Sequence, residues 1–195
     1  MTALVLLSDG FEEIEALTPV DYLRRSGVKV ITLAVNEKAL WTKEGYLVKG
    51  AHWINVLADG LLSDYIKNNE QSADCIVIPG GMPGAANIAQ SEESLKLIEK
   101  MFTEQKLVAS ICASPAIVLS KTGILKDKKW TCYPGMKDNA KEYISNHIDN
   151  VPFVTDKNLI TGRGPGAAEE FSMEIVKILC GEETAQKIKT SACQR

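Results

Sequence analysis

The sequence lacks the features that mark several common classes of protein. Its five cysteines include no C-x-x-C pair, and neither of its two histidines lies at ligand spacing from a cysteine, which argues against a zinc site and a disulfide framework. A net charge of −3 and a pI near 5.5 give no electrostatic reason to expect nucleic acid or an anionic membrane as a partner. No apolar run approaches the length of a membrane span, and the start has no basic leader. We therefore expect a cytoplasmic protein with reduced thiols.

What is present is an alternation of short strand patterns and helix patterns. With 195 residues, 45% of them hydrophobic and 24% charged, the chain is long enough for one full core, and we expect a single domain over residues 1–195. Apolar runs at Ala3–Leu7, Val28–Val35 and Cys75–Ile78 alternate with helix patterns such as Phe11–Gly27, in which acidic residues come first and arginines last. This alternation predicts an α/β fold with a mostly parallel sheet covered on both faces.

The second half of the chain carries less regular patterns. We predict a short strand at Trp130–Tyr133, a helix at Lys137–Ser145 and a hairpin formed by Val151–Thr155 and Asn158–Thr161. Ligands of open parallel sheets bind at the carboxyl ends of the strands. Three loops that follow predicted strands are therefore candidate site segments: Gly10–Glu15, Pro79–Gly84 and the residues around Cys112.

Cys112 lies where a strand pattern turns directly into a helix pattern. The apolar run Leu107–Ile111 precedes it, and the helix pattern that follows has Pro115 near its start and Gly123 just past its end. A sharp turn of this kind strains the backbone and exposes the side chain, and the N–H groups of the helix start favour a thiolate, so we expect a lowered pKa for Cys112. The alternative is that Cys112 is a small buried apolar residue, as free cysteines commonly are.

Four short motifs follow one another along the chain: Gly10-Phe-Glu-Glu-Ile-Glu15, Pro79-Gly-Gly-Met-Pro-Gly-Ala-Ala-Asn87, Ala109-Ser-Ile-Cys-Ala-Ser-Pro115 and Arg163-Gly-Pro-Gly166. In this order they resemble the ThiJ/PfpI superfamily, most closely its DJ-1 (Parkinson-disease-associated) branch. The resemblance implies a flavodoxin-like three-layer sandwich of the class I glutamine amidotransferase type, active without a cofactor. It also implies a homodimer packed through the first helix, whose apolar residues Leu17 and Val20 would be shielded by the partner.

The resemblance also implies roles for individual residues. Cys112 is the reactive nucleophile, Glu15 hydrogen-bonds its thiolate and serves as acid and base, and the N–H groups of Gly80, Gly81 and Ala113 form an oxyanion hole. The implied activity is that of a glyoxalase III or protein deglycase acting on small α-dicarbonyls or their adducts. The alternative is an oxidative-stress sensor, in which Cys112 is oxidised to a sulfinate without turnover. Older family names suggest an amidase or thiamine-pathway role as a weaker third interpretation.

Two departures from the family pattern narrow these expectations. The protease and chaperone branches have a histidine directly after the cysteine, where this chain has Ala113, so peptidase activity is not expected. Several DJ-1 relatives have a histidine where this chain has Tyr133, which we interpret as a wall of the site. Arg163 is expected to make a structural ion pair or a dimer contact. Only Cys132 among the remaining cysteines is expected near the site. No role is assigned to the remaining cysteines and the two histidines, which are Cys75, Cys132, Cys180, Cys193, His52 and His147.

Overall fold

A computed structural model describes residues 1–36, 39–68 and 73–194 of the chain. The strands are β1 (Thr2–Leu7), β2 (Lys29–Ala34), β3 (Leu40–Thr42), β4 (Gly45–Lys49), β5 (Asn55–Ala58), β6 (Gly60–Leu61), β7 (Cys75–Ile78), β8 (Leu107–Ile111), β9 (Phe153–Asp156) and β10 (Leu159–Gly162). The α-helices are α1 (Glu13–Arg25), α2 (Leu62–Asn68), α3 (Gly84–Gln90), α4 (Glu92–Thr103), α5 (Ser114–Ile117), α6 (Ala168–Cys180) and α7 (Glu182–Ser191). Short 3-10 helices cover Leu119–Lys121, Lys137–Asn146 and Pro165–Ala167.

The central sheet has the strand order β6-β2-β1-β7-β8-β10-β9. Its pairs are parallel, except that β9 and β10 form the antiparallel hairpin predicted from the sequence. Strands β3, β4 and β5 form a separate antiparallel sheet. The helices flank the central sheet, with α1 packed on α6 and α6 on α7, and with α3 packed on α4. This arrangement confirms the predicted α/β class with a mostly parallel sheet.

The central strands form because their residues are apolar on both faces. Strands β7 and β8 are buried at every position, and β1 is buried from Ala3 onward. Such continuous runs suit a parallel sheet that has helices on both sides. Within the described residues, no helix is long and apolar enough to cross a membrane. Because β1, β7 and β8 are buried in this core, they form a packed base beneath the loops at their carboxyl ends.

Helix α1 places its amino end at the carboxyl edge of β1. The Glu12 side chain caps the helix by accepting a hydrogen bond of 2.8 Å from the N–H of Glu15. The helix continues through Pro19 to Arg25. Its outward positions include Ile14, which is 54% exposed, and the half-buried Leu17. Val20, expected to be shielded by a partner, is already buried within the single chain at 7% exposure and packs in the core.

Two other predictions in the second half of the chain differ in outcome: the strand at Trp130–Tyr133 is wrong, and the helix at Lys137–Ser145 is confirmed as a 3-10 helix. Trp130–Tyr133 forms no strand: only Trp130 makes an isolated bridge, to His147, and the N–H groups of Thr131 and Tyr133 bond to the Thr161 hydroxyl and the Cys112 carbonyl instead. The segment Lys137–Asn146 is a 3-10 helix rather than an α-helix, and Ala140 interrupts it with non-helical backbone angles. Tight i+3 turns of this kind suit a short connecting segment. The segment packs against α5 and against the 3-10 helix Leu119–Lys121.

Candidate active site

The candidate site lies where four adjacent strands end at the same edge of the sheet. Because β1, β7, β8 and β10 are neighbours and parallel, their carboxyl ends open side by side. The loops after these strands carry the four motifs singled out in the sequence, including Cys112 directly after β8. This edge is where open α/β sheets bind ligands.

Cys112 occupies a strained turn between β8 and α5. Its φ angle is +65°, a left-handed conformation that residues other than glycine rarely adopt. Its N–H donates to the Gly162 carbonyl at 2.9 Å, and its carbonyl accepts from the Tyr133 N–H at 2.8 Å. The Ser114 hydroxyl donates to the Pro79 carbonyl at 2.6 Å, which fastens the turn to the neighbouring loop. These bonds hold the turn in the geometry of a nucleophile elbow.

The sulfur of Cys112 faces two backbone donors and one carboxyl group. Burial and the Glu15 carboxylate raise the pKa of the thiol, whereas hydrogen bonds from the N–H groups of Ala113 and Gly81 act in the opposite direction. The sequence led us to expect a lowered pKa, and this expectation is wrong, because the residue is only 8% exposed and has an acidic neighbour. The Cys112 thiol therefore loses its proton most readily when Glu15 is neutral.

Glu15 is fully buried beside the thiol. Its Oε2 atom accepts a hydrogen bond of 2.9 Å from the Gly80 N–H. No N–H or O–H donor among the described residues reaches its Oε1 atom. Burial raises the pKa of Glu15 to about 7; the charge of Glu12 adds to this increase, and hydrogen bonds from Cys112 and Gly80 reduce it. Glu15 therefore changes protonation state close to neutral pH.

Cys112 and Glu15 form a coupled acid–base pair. The Glu15 carboxylate raises the pKa of the Cys112 thiol, because two like charges in a buried site repel, whereas the hydrogen bond from the thiol lowers the pKa of Glu15. The pair therefore carries one negative charge over a wide range above about pH 7. A single proton shared between sulfur and carboxyl gives the site both a nucleophile and an acid.

The Pro-Gly-Gly loop approaches the pair so closely that a side chain would not fit. A Cβ atom at Gly80 would lie 2.7 Å from the Cβ of Cys112 and 2.8 Å from Oε2 of Glu15. Gly81 adopts a φ of +85° and its N–H points to the sulfur. Of the three predicted oxyanion donors, Gly81 and Ala113 face the sulfur, whereas the Gly80 N–H is engaged by Glu15. Gly80 is thus corrected from an oxyanion donor to a residue that positions Glu15.

Tyr133 and Gly164 border the site. Tyr133 is 47% exposed, and a Cβ at Gly164 would lie 3.2 Å from its ring and 4.0 Å from Oε1 of Glu15. No role was predicted for Gly164 from the sequence, although Gly164 lies within the Arg163–Gly166 motif. The N–H of Arg163 donates to the Pro152 carbonyl, and its side chain makes no ion pair within the described residues, so the expected intrachain ion pair is not found.

One group of side chains beside the site has the composition of a metal site. The ligand atoms of Glu12, Glu13 and His52 lie within 4.8 Å of one another. Their contacts are already used within the protein, because Glu13 Oε2 lies 2.7 Å from His52 Nδ1 and Glu12 Oε2 accepts from the Glu15 N–H. The pKa of Glu13 is lowered overall. Burial raises it, but hydrogen bonds from the His52 ring and from neighbouring N–H groups together lower it by more. We interpret these contacts as structural, because they hold the start of α1 against the turn after β4.

A cysteine at a strand-to-helix turn, with a buried glutamate beside it at the carboxyl edge of a parallel sheet, defines a class of α/β proteins with a nucleophile elbow. Within that class, this chain belongs to the DJ-1/PfpI family, whose family model matches residues 1–178. Membership of the family was expected from the four motifs and is confirmed.

Named relatives cover most of the chain. It is 35% identical over 187 residues to the protein dj-1beta of Drosophila melanogaster, and the match covers 96% of this chain and 94% of that protein. DJ-1 homolog B of Arabidopsis thaliana is 37% identical over 180 residues, but the match covers 92% of this chain and only 38% of that longer protein. A deglycase of Pyrococcus horikoshii is 31% identical over 179 residues, with coverage of 92% and 99%.

Solved structures share the fold over nearly the whole chain. The oxidised DJ-1 of Toxoplasma gondii has a TM-score of 0.87 and 31% identity, covering 98% of this chain and 97% of that one. The DJ-1beta of Drosophila melanogaster also has a TM-score of 0.87, with 34% identity and the same coverage. The fold predicted from the sequence is thus that of known DJ-1 proteins.

Proposed function

We propose that the protein is a cysteine-dependent, cofactor-free enzyme of the glyoxalase or deglycase type. Its substrates are small α-dicarbonyls such as methylglyoxal, or their early adducts with thiols and amines. The observation that carries the proposal is the pairing of the Cys112 thiol with a buried Glu15 whose pKa is about 7. Two relatives, from Pyrococcus horikoshii and Pyrococcus abyssi, are named deglycases, which supports this chemistry.

The first step forms a carbon–sulfur bond. The Cys112 thiolate attacks the aldehyde carbon of methylglyoxal, and the carbonyl electron pair moves to oxygen. The N–H groups of Gly81 and Ala113 that face the sulfur stabilise this oxyanion, and neutral Glu15 then donates its proton to give a hemithioacetal. Fixed backbone donors need no reorganisation as the charge develops.

The next steps move protons without a cofactor. Glu15, now ionised, removes the proton from the carbon bound to sulfur, and the electron pair becomes part of an enediolate. Protonation of the neighbouring carbon gives a thioester, which water hydrolyses to lactate and the free thiol. The sum is methylglyoxal plus water giving lactate. The Oε1 atom of Glu15, which receives no N–H or O–H donor from the described residues, is the oxygen available for these transfers.

The setting of this activity follows from the same residues. The reaction needs a free thiol, and all five cysteines are unpaired, so we assign the enzyme to the reducing cytoplasm.

We also propose a homodimer through α1, because Ile14 and the nearby Ile54 are each 54% exposed beside the half-buried Leu17.

The proposal is tested by measuring lactate formed from methylglyoxal. Wild-type protein should produce lactate, and Cys112→Ser should not. Cys75→Ser is the matched control, since Cys75 is fully buried in β7 away from the carboxyl edge, and it should retain activity. Absence of lactate from wild type, or equal activity in Cys112→Ser, would contradict the proposal.

The donors around the sulfur also support a second candidate, an oxidation sensor. A sulfinate on Cys112 would accept hydrogen bonds from the N–H groups of Gly81 and Ala113 and from a neutral Glu15. Under mild peroxide, Glu15→Gln should still form the sulfinate, because glutamine keeps a donor, whereas Glu15→Leu should stop at the sulfenate or give other products. Equal sulfinate yields in the two variants, measured by intact mass, would remove this candidate.

A further inference from the structure

A second buried thiol, Cys132, lies beside the ring of His147. The distance from Cys132 Sγ to His147 Nε2 is 3.5 Å. The other ring nitrogen, Nδ1, lies 3.5 Å from Oδ1 of Asp149, whose second oxygen binds Lys137 Nζ at 2.8 Å. Thiol, imidazole and carboxylate therefore follow one another in the order of a Cys-His-Asp triad. No role was predicted for these residues from the sequence, where 15 positions separate the thiol from the histidine.

The surroundings of His147 hold its ring in this orientation. The side chain is 5% exposed, and the edge of the ring packs against Trp130 with centroids 4.6 Å apart at 79°. The N–H of Ile148 donates to the Trp130 carbonyl at 2.8 Å, which fixes the segment beside Cys132. Nδ1 is buried and makes no hydrogen bond within the described residues. A buried polar atom without a partner requires an explanation.

A general-base role explains the open nitrogen. If Nε2 accepts the proton of the Cys132 thiol, a neutral imidazole must carry its hydrogen on Nδ1, where the nearest acceptor is Asp149 Oδ1. Hydrogen bonds of catalytic groups are commonly long before a reactant binds. A small movement of the exposed Asp149 side chain would complete the bond.

We propose that Cys132 is a second nucleophilic thiol, with His147 as its general base and Asp149 positioning the ring, and that it reacts with hydrogen peroxide. His147 Nε2 takes the proton from sulfur, and the sulfur electron pair attacks one peroxide oxygen as the O–O bond breaks. The departing hydroxide takes the proton from His147 and leaves as water. Cys132 becomes a sulfenic acid, oxidised by two electrons, and the peroxide is reduced.

Burial sets the size and charge of the reactant. Cys132 is 3% exposed, but residues 133–135 directly after it are exposed, so the thiol lies one layer beneath the surface. Burial and Asp149 raise the pKa of Cys132 to about 12, and burial lowers the pKa of His147, so the resting pair is neutral. A neutral pair favours a small uncharged reactant over a bulky or anionic one.

The same thiol lies next to the candidate active site. Sγ of Cys132 is 3.5 Å from the Tyr133 carbonyl, and the Tyr133 N–H donates to the Cys112 carbonyl at 2.8 Å. An oxygen added to Cys132 would therefore crowd Tyr133, whose N–H holds the turn at Cys112. Peroxide at this second site would alter the first one without touching Cys112.

The test maps sulfenic acid with a dione probe and mass spectrometry in a Cys112→Ser background, so that its result does not depend on carbonyl turnover. Cys75, which is fully buried and has no hydrogen bond to a histidine among the described residues, is the internal standard. We expect Cys132 to be labelled well before Cys75, and His147→Gln to slow labelling of Cys132 by about 100-fold, as loss of a general base does. Labelling of Cys132 no faster than Cys75, or an unchanged rate in His147→Gln, would overturn the proposal.

A second pair of variants keeps the test decisive if His147→Gln fails to fold. The Asp149 side chain is 59% exposed, so its substitution should leave the fold intact. Asp149→Asn should slow labelling of Cys132 without changing Cys75, and Asp149→Glu should restore part of the rate. A structural role would change both thiols together or neither. Equal rates in the two Asp149 variants would show that the carboxylate does not position the ring.

Discussion

The N–H of Gly80 donates to Oε2 of Glu15 at 2.9 Å, joining two motifs that are 65 residues apart in the chain. This bond fixes one carboxyl oxygen and leaves Oε1 for proton transfer. A Cβ at Gly80 would lie 2.7 Å from Cys112 Cβ and 2.8 Å from Oε2 of Glu15, so the absence of a side chain lets the loop approach both members of the pair. The geometry of the site thus depends on backbone as much as on side chains.

Substitution of Gly80 should reduce both stability and activity, whereas substitution of a glycine at the surface should not. The methyl group of Gly80→Ala would lie 2.7 Å from Cys112 Cβ, so the loop must shift and the Gly80–Glu15 bond must lengthen. We expect a loss of about 1–3 kcal/mol in the free energy of unfolding and loss of turnover. Gly166→Ala, with nothing within 4 Å, is the matched control. Equal stability and activity of the two variants would contradict this reading of the loop.

Alkylation rates should distinguish Cys112 from the buried thiols. In a Cys193→Ser background, which removes an exposed competitor, iodoacetamide should label Cys112 before Cys75. The rate at Cys112 should rise as pH increases through about 7, where the coupled pair first loses a proton. Mass mapping at several pH values measures both effects. Equal labelling of Cys75 would argue against the elbow assignment.

Burial of Glu15 should make stability depend on pH. Its pKa is about 7 in the folded protein against an ordinary value of 4.5, so the folded state binds more protons between these values. The free energy of unfolding should therefore fall as pH rises from 4.5 to about 7, by on the order of 3 kcal/mol at most. Glu15→Gln should lack this decrease. Denaturant unfolding of both proteins at pH 5 and pH 8 checks the sign, and parallel pH profiles would contradict it.

A charge on the outer face of α1 should dissociate the proposed dimer. Leu17→Glu places a carboxylate beside the exposed Ile14, and the cost of burying it in an interface should shift the mass seen in light scattering toward the monomer. Lys187→Glu, a change at an exposed side chain on α7, is the control and should leave the mass unchanged. Wild-type protein that is monomeric at micromolar concentration would contradict the interface.

The sequence was informative where the cause of structure is local. The apolar runs of β1, β7 and β8, the turn at Cys112 and the motif order could all be predicted, because each depends on a short stretch of chain. Tertiary contacts decided the rest. Burial raises the pKa of Cys112, and Glu15, which the fold brings against it, raises that pKa further; the core also covers Val20. The contact between Cys132 and His147 also arises only when the segments around them fold together.

The most direct test of the central claim is the turnover of Glu15→Gln on methylglyoxal, followed as lactate. Glutamine keeps the size of the side chain and a hydrogen-bond donor but neither gives nor takes the proton that the mechanism assigns to Glu15. We predict that Cys112 in this variant is still alkylated by iodoacetamide while lactate formation is lost. Full turnover in Glu15→Gln would contradict the account, and the acid–base role would then pass to Tyr133 or to water.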